Sequence, residues 1–130
     1  MTRHRASCRC GALTAVATGT PTRISVCHCR DCQRRSGGAF SAQVRFRNED
    51  VAITGPSSSW RTTGDSGRWG EFSFCPTCGA QVFYRIEYFP DMVAIPLGAF
   101  DDPHAFTPTV SVWESRKHDW LAITADVERY

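Results

Sequence analysis

A mainly β fold, with antiparallel strands and metal-bound cysteine corners, is the class this sequence predicts. Three observations carry it. Apolar residues alternate over short runs bounded by turn residues, no segment of about 12 residues shows a helical stripe, and all seven cysteines fall into three tight groups. A length of 130 residues with 42% hydrophobic content suits one domain spanning residues 1–130 with a real core. The formal net charge of +2 is too small to argue for nucleic acid or an anionic membrane. No apolar run approaches the roughly 20 residues of a membrane-spanning helix. "MTRHRASCRC" lacks the apolar core of a signal peptide, so the expected location is cytoplasmic.

The elements follow in order. "CRC" (8–10) is expected on a strand near the N-terminus, and "ALTAVAT" (12–18) on a strand ended by Gly19 and Pro21. "TRISV" (22–26) leads straight into the next cysteines, and "RDCQRRS" predicts one or two helical turns beginning near Cys29. In "AFSAQVRF" (39–46), Phe40, Ala42, Val44 and Phe46 share one face at strand period. "VAIT" (51–54) stops at Gly55-Pro56, and the serines at 57–59 and "TGDSGRWG" (63–70) read as loop or hairpin material. "EFSF" (71–74) enters the third cysteine group and "AQVFYRI" (80–86) leaves it. "DMVAIPLGAF" (91–100) and "TVSVWES" (109–115) complete the set of short strands.

An odd number of cysteines argues against a disulfide framework, and their grouping argues for metal. "FCPTCGA" (74–80) has the form of a zinc knuckle, a tight turn whose end Gly79 can occupy at positive φ. A knuckle supplies two ligands and needs two more. Pairing it with "CRC" gives a closed four-thiolate site of Cys8, Cys10, Cys75 and Cys78, the usual form of structural zinc.

"CHCRDC" (27–32) is left with Cys27, Cys29 and Cys32 and no eighth cysteine. Three protein ligands with one exchangeable position is the pattern of catalytic zinc. His28 is the nearest candidate for the fourth corner, but on a continuing strand it points away from its cysteine neighbours, towards a hydrogen bond at the pocket wall. Three thiolates blunt the power of zinc to acidify water. Such a site suits a fourth thiolate brought by a substrate, kept deprotonated and able to attack a small carbonyl.

"CRCGA" (8–12), "CHCRDCQRRSGGAF" (27–40), "FCPTCGAQVFY" (74–84), "AIPLGAFDDP" (94–103) and "TVSVWESRKHDWLAI" (109–123) resemble the glutathione-dependent formaldehyde-activating enzyme family, which includes the centromere protein V domain. The resemblance runs from about Ser7 to the C-terminus. It implies a zinc-bearing β-tent fold related to the Rab-GTPase zinc chaperones, and two zinc ions partitioned as the ligand count divides them. It also implies a carbon–sulfur lyase that condenses glutathione with formaldehyde to S-(hydroxymethyl)glutathione.

Glutathione is anionic, so its carboxylates need cationic or amide partners. Arg30, Arg34 and Arg35 lie on or beside the metal loop, and "SGGAF" (36–40) offers backbone N–H groups at Ser36 and Gly37, with Gly37 and Gly38 equally able simply to make the turn. At least one of the three arginines is expected to be plain solvated surface. Candidates for proton transfer are Asp31, His28 and His118, although Asp31 can equally cap the short helix. Trp60, Trp69, Phe83, Tyr84, Trp113 and Trp120 read as core or pocket wall. The rival class is a non-catalytic zinc module for protein or nucleic acid, for which Arg30, Arg34, Arg35, Arg45 and Arg47 speak. The balanced charge and the absence of a basic block make nucleic acid an unfavoured partner. A paired edge strand is compatible with a homodimer.

Overall fold

The computed structural model describes residues 1–64 and 66–130; Asp65, in the segment expected to be loop, lies outside the described residues. Two sheets lean against each other. The smaller contains β1 (Arg3–Ser7), β2 (Thr14–Thr18) and β5 (Val51–Thr54), in the order β1-β2-β5. The larger contains β3 (Arg23–Cys27), β4 (Ser41–Arg47), β6 (Ser58–Thr63), β7 (Trp69–Phe74), β8 (Gln81–Ile86), β9 (Met92–Pro96), β10 (Val110–Val112) and β11 (Glu128–Arg129). Its order is β11-β10-β3-β4-β9-β8-β7-β6. The α-helix α1 (Arg30–Ser36) follows β3. No helix among the described residues is long and apolar enough to cross a membrane.

The core fills the space between the sheets. Ala6, Leu13, Ala15 and Ala17 from the small sheet meet Val44, Phe46, Val82, Val93 and Ile95 from the large one, all fully buried. Small residues on one side let the sheets close around the aromatic cluster on the other. Phe46 packs at 6.3 Å from Phe100 and 6.4 Å from Phe106, which lie 4.6 Å apart, within the range of favourable aromatic pairs. Val44 and Phe46 do share the core face of β4, as their alternation predicts. The opposite face of β4 is covered too, since Ser41, Gln43 and Arg45 are all buried.

The mainly β class holds, with three local differences. The sheet is mixed, because β10 runs parallel to β3 and to β11. The connection 97–109, which passes through short 3-10 turns after Pro96, is long enough to bring the chain back beside β3 in the same direction. Ser58, Ser59 and Thr63, within stretches read as loop or hairpin material, belong to β6, paired with β7 from Ser58↔Phe74 to Thr63↔Trp69. Its sequence carries no apolar alternation because it is an edge strand with most side chains exposed. Cys8 and Cys10 sit on a turn after β1 rather than on the strand. Gly11 at φ +86 closes that turn with its N–H on the Cys8 carbonyl at 3.2 Å. An extended strand would have spaced the two sulfurs apart; the turn brings them to 3.6 Å.

Candidate metal centres and the cavity beside them

The four-cysteine corner joins the two sheets. One pair comes from the β1–β2 turn of the small sheet, the other from the β7–β8 turn of the large sheet. All four Sγ atoms lie within 4.8 Å of one another, with Cys8 to Cys10 at 3.6 Å and Cys10 to Cys75 at 3.7 Å. A tetrahedral zinc with Zn–S bonds near 2.3 Å separates its sulfurs by about 3.8 Å, so the donor set fits. Backbone amides aim at the sulfurs: Leu13 N–H donates to Cys8 at 3.3 Å and Thr77 N–H to Cys75 at 3.4 Å. The Leu13 amide, ahead of the opposing effect of burial, draws the Cys8 thiol down to about 6. Gly79 takes φ +77 and returns its N–H to the Cys75 carbonyl at 2.8 Å. Gly55 has φ +105, and a Cβ there would stand 1.9 Å from the Ala12 carbonyl oxygen, so only glycine lets the end of β5 pass this turn.

The three-cysteine loop is built differently. Cys27 ends β3, Cys29 caps α1, and Cys32 lies in its first turn, where its N–H donates to Cys29 Sγ at 3.3 Å. The helix therefore folds the second and third sulfurs back onto the first, within 4.8 Å. Among the described residues these two groups are the ones with metal-ligand spacing, and both can hold a metal ion. Hydrogen bonds from the Cys27 and Cys29 thiols pull the Cys32 thiol down to about 2, against burial and with help from Ser41 and Arg35. The same contacts push Cys27 up.

His28 points away from the sulfurs, as strand alternation predicts. It is fully buried, with Nε2 at 3.0 Å from Ser111 Oγ, which in turn donates to Glu114. Burial lowers its pKa despite the Glu114 charge, so the ring is neutral at pH 7. The His28 backbone N–H donates to the Val112 carbonyl at 3.1 Å, tying the loop to β10. Gln33 completes the brace: its Nε2 donates to the His28 carbonyl at 2.8 Å, and its Oε1 meets Arg30 at 3.2 Å and His118 at 2.8 Å.

The triad opens into a cavity of about 1100 Å³ on the face of the large sheet opposite the core. Cys27 and Cys32 stand at one end. Among the described lining residues are five arginines (23, 34, 35, 45 and 68) against one acid, Asp31. The walls are aromatic, with Trp60, Trp69, Phe72, Tyr84, Phe89 and Trp113 among them. Arg35 stacks on Tyr84 at 4.5 Å and on Phe72 at 4.9 Å, bonds Gln81 at 2.6 Å and reaches Cys32 Sγ at 3.6 Å. Burial works against its charge, but Tyr84 and Cys32 raise its pKa on balance. Trp113 holds φ +57, the one non-glycine residue at positive φ among those described, and it lies beside the metal loop.

The model of the glutathione-dependent formaldehyde-activating enzyme family matches residues 3–116. This chain belongs to that family. A crystal structure of a Rhodobacter sphaeroides protein resembles this family member in fold, with a TM-score of 0.61 at 18% identity over 78% of this chain and 93% of that one. No curated protein sequence matches it.

Within this formaldehyde-activating enzyme family member, the arginines named from sequence separate. Arg35, half-buried, and Arg34, exposed, line the cavity, whereas Arg30, also exposed, lines a smaller pocket of about 100 Å³ with Cys29 and Trp113. Ser36 and Gly37 are not among the lining residues. They close α1 instead: Gly37 takes φ +73 with its N–H on Gln33, and Ser36 Oγ donates to the Phe40 carbonyl at 3.1 Å. Asp31 lines the cavity, and the cap of α1 is Cys29. Phe83 belongs to the core, while Trp120 is 73% exposed and stacks on His118 at 5.3 Å. Arg23, Ser25 and Gln43 on the cavity floor escaped the sequence reading. The signal was the polar half of the β3 and β4 alternations, which looked like a solvated face.

Proposed function

We propose that this protein is a zinc-dependent carbon–sulfur lyase resembling S-(hydroxymethyl)glutathione synthase. It adds the thiol of glutathione, or of a similar substrate, to formaldehyde or a related small carbonyl. The observation that carries this reading is the three-sulfur loop opening at one end of a cationic, aromatic-walled cavity. In the addition a C–S bond forms, the carbonyl π bond breaks, and the thiol proton ends on the new hydroxyl. Zinc on Cys27, Cys29 and Cys32 would supply one open position and lower the pKa of a thiol held there. The structural zinc would sit on Cys8, Cys10, Cys75 and Cys78.

The chain's own groups divide the remaining work. Arg35, 3.6 Å from Cys32, offsets the negative charge that gathers on the sulfurs. Its stacking between Tyr84 and Phe72 fixes the guanidinium with no ion pair to a carboxylate among the described residues. Arg34 stands at the cavity wall to meet a substrate carboxylate. Of the three proton-transfer candidates, Asp31 is the one that lines the cavity. His28 is sealed against Ser111, and His118 is engaged by Gln33. We assign the proton relay to Asp31.

The test is the rate at which glutathione and ¹³C-labelled formaldehyde interconvert with S-(hydroxymethyl)glutathione, followed by exchange NMR. The zinc-loaded protein should accelerate interconversion beyond the uncatalysed rate, and Cys29→Ser should abolish the acceleration. A rate equal to that of buffer would sink the proposal.

A further inference from the structure

The cavity floor is laid out in cross-strand rows. Strands β3 and β4 pair with Cys27 opposite Ser41, Ser25 opposite Gln43, and Arg23 opposite Arg45. Because side chains alternate along a strand, all six face the same side of the sheet. The first row carries a metal-ligand sulfur and a hydroxyl. The second is a neutral pair joined directly, with Gln43 Nε2 donating to Ser25 Oγ at 2.7 Å. The third is two guanidiniums side by side.

That third row is expensive to build. Like charges placed directly opposite each other on a sheet repel. Arg45 is only 6% exposed and the one described hydrogen bond of its side chain runs to Ser25 Oγ at 3.2 Å. Arg23 keeps a buried Nε–H with no hydrogen-bond partner among the described residues. Neither arginine forms an ion pair with a described carboxylate, whereas exposed arginines such as Arg5, Arg47 and Arg61 do. Both guanidiniums instead lie over a single ring, Phe89, at 5.3 Å and 4.9 Å. Cation–π contact offsets part of the cost, but it leaves the planar N–H edges free for an anion. Burial above all lowers the Arg45 pKa; Tyr84 opposes it and the Arg23 charge adds to it, as expected for a buried cation with no described carboxylate partner.

We propose that Arg23 and Arg45 form an anion subsite for a carboxylate that the substrate carries remote from its sulfur, so that the cavity selects peptide-length acidic thiols. The inference rests on the thiol reading given above and names the substrate class that site accepts. Four residue steps lead from Cys27 to Arg23 along β3, about 13 Å of strand. An extended three-residue ligand spans about 10 Å, and the facing side chains close the remainder. A short thiol such as 2-mercaptoethanol reaches the triad and leaves the arginine pair empty. Arg34, at the helix, is placed for a second carboxylate nearer the sulfur. Tyr84, Phe72 and Trp60 continue the same row beyond Ala94 on β9, β8, β7 and β6, so the apolar part of the ligand has a wall to lie against.

Calorimetry on the zinc-loaded full chain tests this with three thiols: glutathione, its diethyl ester and 2-mercaptoethanol. Wild-type protein should bind glutathione at least roughly tenfold more tightly than the diester, the worth of one or two charge-assisted hydrogen bonds. Arg23→Gln and Arg45→Gln should each cut that preference, leaving only what Arg34 contributes, and leave 2-mercaptoethanol binding unchanged. Arg23 is the less buried of the two, so its variant guards against a folding defect in the other. Equal wild-type affinity for glutathione and its diester would overturn the subsite, as would variants that lose all three thiols alike. If none of the thiols binds the zinc-loaded wild type, the thiol reading itself fails, and the subsite with it.

Discussion

The two cysteine groups use the same ligand to opposite ends. The four-cysteine corner is closed: its sulfurs come from turns of two different sheets, and Cys8 and Cys75 are buried next to Leu13 at the edge of the core. The three-cysteine loop is local, spanning six residues, and it faces a cavity. A metal at the corner would join distant parts of the chain, so its binding energy becomes folding energy. A metal on the loop closes only a short segment that α1, β10 and Gln33 already hold. The difference teaches that ligand number alone does not decide a site's role; what the ligands connect decides it.

The largest effect should follow from breaking that asymmetry at the corner. Structural zinc is worth on the order of 10 kcal/mol. Cys75→Ser should therefore abolish cooperative thermal unfolding near that of wild type, or leave no folded protein. Cys29→Ser should shift the midpoint by a few degrees only and still end thiol binding. Paired melting curves of the two variants decide it; similar destabilisation would erase the distinction.

A smaller effect probes the brace behind the loop. Ser111→Ala removes the partner of Glu114 and of His28 Nε2, whose ring is fully buried. Leaving such a group unsatisfied costs about 1–3 kcal/mol. Denaturant titration should show that loss. Affinity for a second metal equivalent should also fall, because the His28 ring anchors the segment between Cys27 and Cys29.

The smallest effect carries the most informative sign. Trp113 sits at φ +57, where a bulky side chain is strained by about 1–3 kcal/mol. Trp113→Gly relieves that strain at the cavity wall. It should raise stability slightly against Trp113→Ala, while both weaken thiol binding. A stable Trp113→Gly variant with full binding would show that the indole is mere wall.

Legibility in the sequence followed the same divide. Cysteine spacing marked both groups, and strand alternation placed His28 away from the sulfurs. Apolar alternation found β2, β4, β5 and β8 because one face of each packs into the core. It missed β6, whose exposed edge position needs no apolar face, and it could not foresee a parallel β10 that depends on the path of residues 97–109. The floor of the cavity was hidden for a related reason. Ser25, Gln43 and Arg45 are polar yet buried, and a polar half-strand reads as solvent-facing unless its cross-strand partners are known. The "SGGAF" stretch read either as substrate amides or as a turn, because glycine-rich turns and anion-binding loops share a composition; in the fold Ser36 and Gly37 end α1.

Zinc-edge X-ray absorption on protein carrying both metals, before and after glutathione, tests the central claim most directly. The account predicts a mean sulfur count below four per zinc that rises to four as the thiol fills the open position beside Cys27, Cys29 and Cys32. A count that stays unchanged while glutathione is present in excess would contradict it.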